Sequence, residues 1–205
     1  MKLQLALDRL TRGECIRITE QVKNKIDIIE VGTGVIKEYG VSIIRELKDL
    51  YPDKTILADM KICDAGKHEA EQAFKAGADI TTVMGFAGNQ TIVETLNVAK
   101  EMNSRVMVDL LEIQSPERVN ELDSLGVELV SLHVGKDKQT EGTFHTDLFS
   151  LIQDSSVQVA VAGGINAQTL PEIKNHEPDI IIVGSAITGK ESPMLAATEL
   201  REIID

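Results

Sequence analysis

Tryptophan is absent from this 205-residue chain, and aromatic residues make up only 3% of it. The core must therefore be filled by Ile, Val, Leu and Ala. Positive charge is also scarce, with 21 Lys and Arg against 33 Asp and Glu and a net charge of -12. That balance argues against nucleic acid and anionic membranes as partners, because both require a basic footprint. It leaves open a phosphorylated small molecule, which needs only local donors. The two cysteines, Cys15 and Cys63, lie far apart without metal-type spacing. They read as reduced thiols of a cytoplasmic protein. No apolar run approaches a membrane span, and the one that opens the chain ends at Asp8, too short for a signal peptide. No linker, low-complexity tract or charge block interrupts the sequence, so one domain over residues 1–205 is expected, long enough for a sizeable core.

What is present is alternation. Short apolar, strand-like runs occur at 3–7, 27–31, 55–58, 79–83, 105–109, 128–132, 157–161 and 179–183. Between them lie stretches of helical periodicity, clearest at 41–50 and 91–102. Glycine or proline stops the chain before a new strand at Gly77, Gly126 and Pro178. Eight such units fit either an open doubly wound sheet or a closed (β/α)8 TIM barrel. The strand ends favour the barrel: Asp8, Glu30, Asp59, Gly85, Asp109, His133, Gly163 and Gly184 recur every 21 to 30 residues and are polar or glycine. A barrel gathers all eight on one rim, whereas an open sheet spreads them along an edge. Parity agrees, since Gln4, Ala6 and Asp8 share one face of strand one while Leu3, Leu5 and Leu7 share the other. The faces that carry the strand-end polar groups are expected to be small or polar, and the opposite faces aliphatic. No G-x-G-x-x-G follows strand one, which removes the usual support for a dinucleotide fold.

The densest chemical signal is Asp59-Met60-Lys61-Ile62-Cys63-Asp64. Asp59 and Lys61, two apart, share a face of an extended chain. Such charges are costly to bury unless they pair or bind an ion. Glu30 and Asp59 end adjacent strands. Two carboxylates at one rim repel unless a proton or a cation intervenes, and oxygen ligands without a His or Cys cluster suit Mg²⁺, with Mn²⁺ as the substitute. The plainer reading gives each carboxylate a lysine partner. Lys61 can stabilise an oxyanion or move a proton, and can equally sit in an ion pair with Asp8 or Asp59. His133 ends strand six on its polar face, as an acid/base group or a structural histidine. Asp109 and Glu112 follow strand five, where they hold a substrate hydroxyl, orient a charged neighbour or form a rim ion pair. The turns with Gly163 and Gly164 and with Gly184 and Ser185 follow strands seven and eight, where barrels commonly bind phosphate on backbone N–H groups and a following helix N-terminus.

These residues resemble the orotidine 5′-monophosphate decarboxylase superfamily, and within it the 3-hexulose-6-phosphate synthase family, essentially end to end. The resemblance rests on Asp8, Glu30-Val31-Gly32-Thr33, the hexapeptide from Asp59, His133 in Leu132-His133-Val134-Gly135, and the two glycine turns. It implies a TIM barrel with Mg²⁺ on Glu30 and Asp59, and Asp8 and Lys61 at the reacting end of a sugar. Asp64 would reach across a homodimer interface, His133 would carry a proton, and Gly163, Gly164, Gly184 and Ser185 would hold phosphate. The implied reaction is reversible aldol-type condensation of formaldehyde with D-ribulose 5-phosphate. The sibling activity is decarboxylation of 3-keto-L-gulonate 6-phosphate through the same kind of enediolate. The sibling carries arginine after the strand-six histidine and after the strand-eight glycine. Here the first stretch is Val134-Gly135-Lys136-Asp137-Lys138-Gln139 and the second position is Ser185. A barrel that binds sugar phosphate without catalysis is a third reading, disfavoured by the presence of Glu30 and Lys61.

Overall fold

The computed structural model describes residues 1–139, 144–153 and 155–205. Eight parallel strands close into a barrel in chain order: β1 (Lys2–Leu7), β2 (Ile28–Val31), β3 (Thr55–Ile62), β4 (Ile80–Met84), β5 (Arg105–Asp109), β6 (Leu129–His133), β7 (Gln158–Ala162) and β8 (Ile180–Val183). The ring is completed by β1 pairing with β8, with Gln4 opposite Ile182 on one side and Ile28 on the other. The fold is thus a (β/α)8 TIM barrel.

Helices cover the outside: α1 (Arg12–Val22), α2 (Thr33–Tyr39), α3 (Ser42–Leu50), α4 (Gly66–Lys75), α5 (Asn89–Glu101), α6 (Pro116–Ser124), α7 (Leu170–Lys174), α8 (Ser185–Thr188) and α9 (Pro193–Ile204). Local chemistry sets several starts. Thr11 and Glu14 form a reciprocal capping box on α1, and Ser192 accepts from Leu195 N ahead of Pro193 in α9. Two 3-10 turns, Lys136–Lys138 and Thr146–Ile152, occupy the β6–β7 connection. Among the described residues no helix is long and apolar enough to cross a membrane.

Strand residues divide by face. Leu3, Leu5, Ile29, Val31, Ile56, Val108, Val130 and Val161 pack outward against the helices. Ile28, Leu57, Ile80, Met107, Leu129, Ala160, Ile180 and Ile182 fill the barrel interior. The interior face is therefore not small and polar throughout, as strands one and six alone lead one to expect. A barrel of eight strands has just enough interior to be filled by side chains, and bulky aliphatics fill it below the rim.

Strand β3 also departs from expectation. It runs four residues beyond Ala58 to Ile62. Ala58 pairs with Thr81 and Ile62 with Val83, so four steps on β3 face two on β4. Lys61 absorbs the excess with φ of +50°, and its N–H donates to Thr82 Oγ1 at 2.9 Å. Bulges of this kind re-aim side chains beside active sites.

Candidate active site

The C-terminal ends of the strands surround a cavity of roughly 1010 Å³. Asp8, Glu30, Asp59, Lys61, Asp109, Glu112, His133, Gly163, Gly164, Gly184 and Ser185 all line it. Asp64 does not. It is exposed and its Oδ1 accepts from Ala65 N at 2.8 Å.

At the centre is Asp109, the last residue of β5, only 3% exposed. Its Oδ2 accepts from Lys61 Nζ at 2.5 Å and lies 3.0 Å from His133 Nδ1, while Oδ1 accepts from Leu111 N at 2.9 Å. Burial by itself penalises this carboxylate, but His133 and then Lys61 outweigh it and hold the pKa down to about 2. Asp109 is thus ionised and orients two neighbours at once. His133 responds in the opposite sense. Burial lowers its pKa, and the bond to Asp109 with its charge more than offsets this, so the pKa is raised. With Nδ1 bound to an ionised carboxylate, Nδ1 carries the proton and Nε2 is the nitrogen left to meet a bound molecule.

Lys61 is also buried enough to favour loss of its proton. The charges of Asp59 and Asp109, the Asp109 bond and Glu30 win, and its pKa is raised well above the ordinary lysine value. Lys61 is therefore an ammonium. Its partners are Asp109 first and Asp59 second, the latter at 3.4 Å. Asp8 is not one of them. It lies 3.5 Å from the Arg9 guanidinium and its side chain is about half exposed.

Glu30 and Asp59 are 9% and 8% exposed. Glu30 Oε2 accepts from Gln4 Nε2 at 2.6 Å. Burial, and then the charge of Asp59, push the Glu30 pKa upward. Asp59 is held on both oxygens: Oδ1 accepts from Thr82 Oγ1 and Oδ2 from Thr33 Oγ1, each at 2.8 Å. Lys61 is bonded to Asp109 and only approaches Asp59 at 3.4 Å, so it offsets the charge of the Glu30–Asp59 pair in part. Among the described residues no three of His, Cys, Asp and Glu gather as a metal-ligand group. Two carboxylates still fit Mg²⁺, which keeps several waters and takes one or two protein carboxylates together with substrate oxygens.

The other side of the cavity is built from glycine. Gly163 has φ of +103°, and a Cβ there would lie 2.2 Å from Val134 O, so the turn itself demands glycine. Gly184 differs: a Cβ would meet nothing nearer than Ala6 O at 3.6 Å, an ordinary contact. Packing does not require its bareness. The helix behind this turn is only four residues long, and α7 begins six residues after Gly164. The helix-terminus contribution expected from the sequence is accordingly small, since it grows with aligned peptide units. Lys136 and Lys190 line the same cavity and form no ion pair among the described residues. Glu112 is exposed and pairs with Lys138 at 2.7 Å.

Five contributors escaped the sequence reading as site residues: Gln4, Thr33, Thr82, Lys136 and Lys190. Gln4 carried a signal, sharing its strand face with Asp8. The threonines carried little, because β-branched residues in and after strands are ordinary.

Comparison with known proteins shows the family to which a chain of this fold belongs. Residues 1–200 match the family model described as orotidine 5′-phosphate decarboxylase / HUMPS family. A 3-hexulose-6-phosphate synthase of Mycobacterium gastri is 39% identical over 206 residues, covering all of both chains. The structure of 3-hexulose-6-phosphate synthase from Salmonella typhimurium is also 39% identical and superposes with a TM-score of 0.96 over all of this chain and 98% of its own. The structure of 3-keto-L-gulonate-6-phosphate decarboxylase from Vibrio cholerae is 27% identical, with a TM-score of 0.86 over all of this chain and 97% of its own. Matched along nearly its whole length, the chain belongs to the orotidine 5′-phosphate decarboxylase / HUMPS family.

Proposed function

We propose that this protein is a carbon–carbon lyase of the 3-hexulose-6-phosphate synthase type, condensing formaldehyde with D-ribulose 5-phosphate to D-arabino-hex-3-ulose 6-phosphate, reversibly. The observation that carries the reading is Asp109, which holds an ammonium and an imidazole together opposite two buried carboxylates. Full-length relatives of the same name support it. In this reading Gly163, Gly164, Gly184 and Ser185 receive the phosphate through backbone groups, and the sugar extends towards Lys61. The proton leaves C1, beside the C2 carbonyl, and the electron pair is spread over a 1,2-enediolate. C1 then bonds to the formaldehyde carbon, and the formaldehyde oxygen takes up a proton to become a hydroxyl.

Lys61 is positioned to stabilise the enediolate as a fixed positive charge in a partly dry site. Its raised pKa argues against Schiff-base chemistry, which needs a neutral amine. His133 moves protons at Nε2, with Asp109 holding Nδ1. Asp8 meets the reacting end of the sugar, and Asp109 orients Lys61 and His133. Glu30 and Asp59 would hold Mg²⁺, or Mn²⁺ in its place, and such an ion when bound supplies positive charge to the substrate oxygens. Asp64, exposed and outside its own cavity, serves the site of a second copy in a homodimer. The free thiols of Cys15 and Cys63 suit the cytoplasm.

The alternative is decarboxylation of 3-keto-L-gulonate 6-phosphate, supported by the likeness to the decarboxylase of that name. The absence of arginine between His133 and Gln139 and at Ser185 weighs against it. The test is incubation with Mg²⁺, ribulose 5-phosphate and formaldehyde, with 3-keto-L-gulonate 6-phosphate in parallel. Metal-dependent hexulose phosphate formation far above CO₂ release is expected. The reverse ratio moves the protein to the decarboxylase. Binding of ribulose 5-phosphate without any turnover would make it a sugar-phosphate-binding barrel.

A further inference from the structure

Gln4 has no exposed surface, and its ladder neighbours are Ile28 and Ile182. A primary amide between two isoleucines costs free energy unless its polar atoms are bonded. Only part of it is. Nε2 donates to Glu30 Oε2 at 2.6 Å, while the buried Oε1 meets no donor among the described residues. Methionine or leucine would fill the position without an unsatisfied acceptor, so packing does not account for an amide here. What the amide alone supplies is a donor aimed at one oxygen of Glu30. Glu30 lines the cavity, and its other oxygen accepts no hydrogen bond from the described residues.

We propose that Gln4 is a positioning residue. It pins Glu30 by Oε2 so that Oε1 is presented beside Asp59 to a divalent cation, and it does so at the expense of stability. This rests on the reading of Glu30 and Asp59 as Mg²⁺ ligands. Outer partners of metal ligands typically contribute about 10- to 100-fold in affinity.

The test is calorimetric titration of the EDTA-treated full chain with MgCl₂, with thermal melting of the metal-free protein alongside. Gln4→Met and Gln4→Leu are expected to weaken Mg²⁺ binding about 10-fold or more while the melting temperature holds or rises. Ile28→Val, in the same layer but without a bond to Glu30, is expected to lower the melting temperature and leave the affinity unchanged. Affinity within twofold of wild type in both Gln4 variants overturns the proposal. So does an equal affinity loss in Ile28→Val, or failure of both Gln4 variants to fold, since either makes Gln4 a packing residue. Wild type that binds no Mg²⁺ overturns the metal reading itself, a different result from a variant that binds as well as wild type.

Discussion

Two tiers of the barrel interior are built from the same strands and the same faces, yet they behave as different materials. The lower tier holds Ile28, Leu57, Met107 and Leu129, buried among other aliphatics. Two residues further along each strand, the upper tier holds Glu30, Asp59, Asp109 and Ser131, with His133 one further step up β6. That step is roughly 6.6 Å. Below it, the contacts among the aliphatics are non-directional and contribute to stability. Above it, each charge is held by named donors, and Asp109 bonds both Lys61 and His133. Stability and chemistry are thus stacked, and a substitution among the lower aliphatics should leave the upper tier nearly untouched, Gln4 being the residue of that layer that reaches up to Glu30.

Four measurements bear on that separation. Lys61→Ala should lower kcat/KM by about 10³-fold or more, since it removes the positive charge aimed at the enediolate, while far-UV circular dichroism keeps the barrel signature. Surviving turnover would remove Lys61 from the chemistry. Leu57→Ala should cost about 2–5 kcal/mol in urea unfolding, with kcat within a few-fold of wild type at low temperature. A hundredfold fall in kcat would mean that the tiers are coupled.

Asp109→Asn should cost about 100-fold in kcat, because Lys61 and His133 lose their common anchor. Followed by NMR, the His133 pKa should fall below its ordinary value of about 6.5, since burial then acts without the opposing carboxylate. The stability profile carries the same information. Asp109 is held down to about 2, so its contribution is complete above an unfolded value of about 3.9 and is lost as pH falls towards 2. His133 is raised, so its contribution is complete below about 6.5 and is lost as pH rises through its folded value. Urea midpoints of wild type should therefore carry a contribution that is greatest between about pH 4 and 6.5, absent in Asp109→Asn. A variant profile identical to wild type would show that the cluster does not titrate as a unit. The smallest change is at the rim: Glu112→Gln breaks only the exposed pair with Lys138 and should shift stability by about 0.5 kcal/mol or less.

The barrel and its upper tier could be read from the sequence because charges and glycines at strand ends are conspicuous against aliphatic runs. The lower tier could not. In β8, Ile180 to Val183 are four aliphatics in a row, so nothing local says which face inward. The extent of β3 was hidden for the opposite reason. Asp59 looks like a strand end, and a lysine gives no sign that it will adopt a positive φ. The Lys61–Asp109 bond joins residues 48 apart, a distance at which only the closed topology brings them together. Thr33 and Thr82 are seen to bond Asp59 only once three strands are in place.

The bulge in β3 also bears on how this gene can vary. Because β3 carries two more residues than β4 over the bulged stretch, an even number, Ile62 returns to the outer face. Loss of one codon between Ala58 and Ile62 would make the excess odd and exchange the inward and outward positions of whatever follows. Loss of two would straighten the strand and withdraw the ammonium from the rim. Point substitutions can drift at Met60, which faces the helices, but the spacing from Ala58 to Ile62 has no neutral alternative in length.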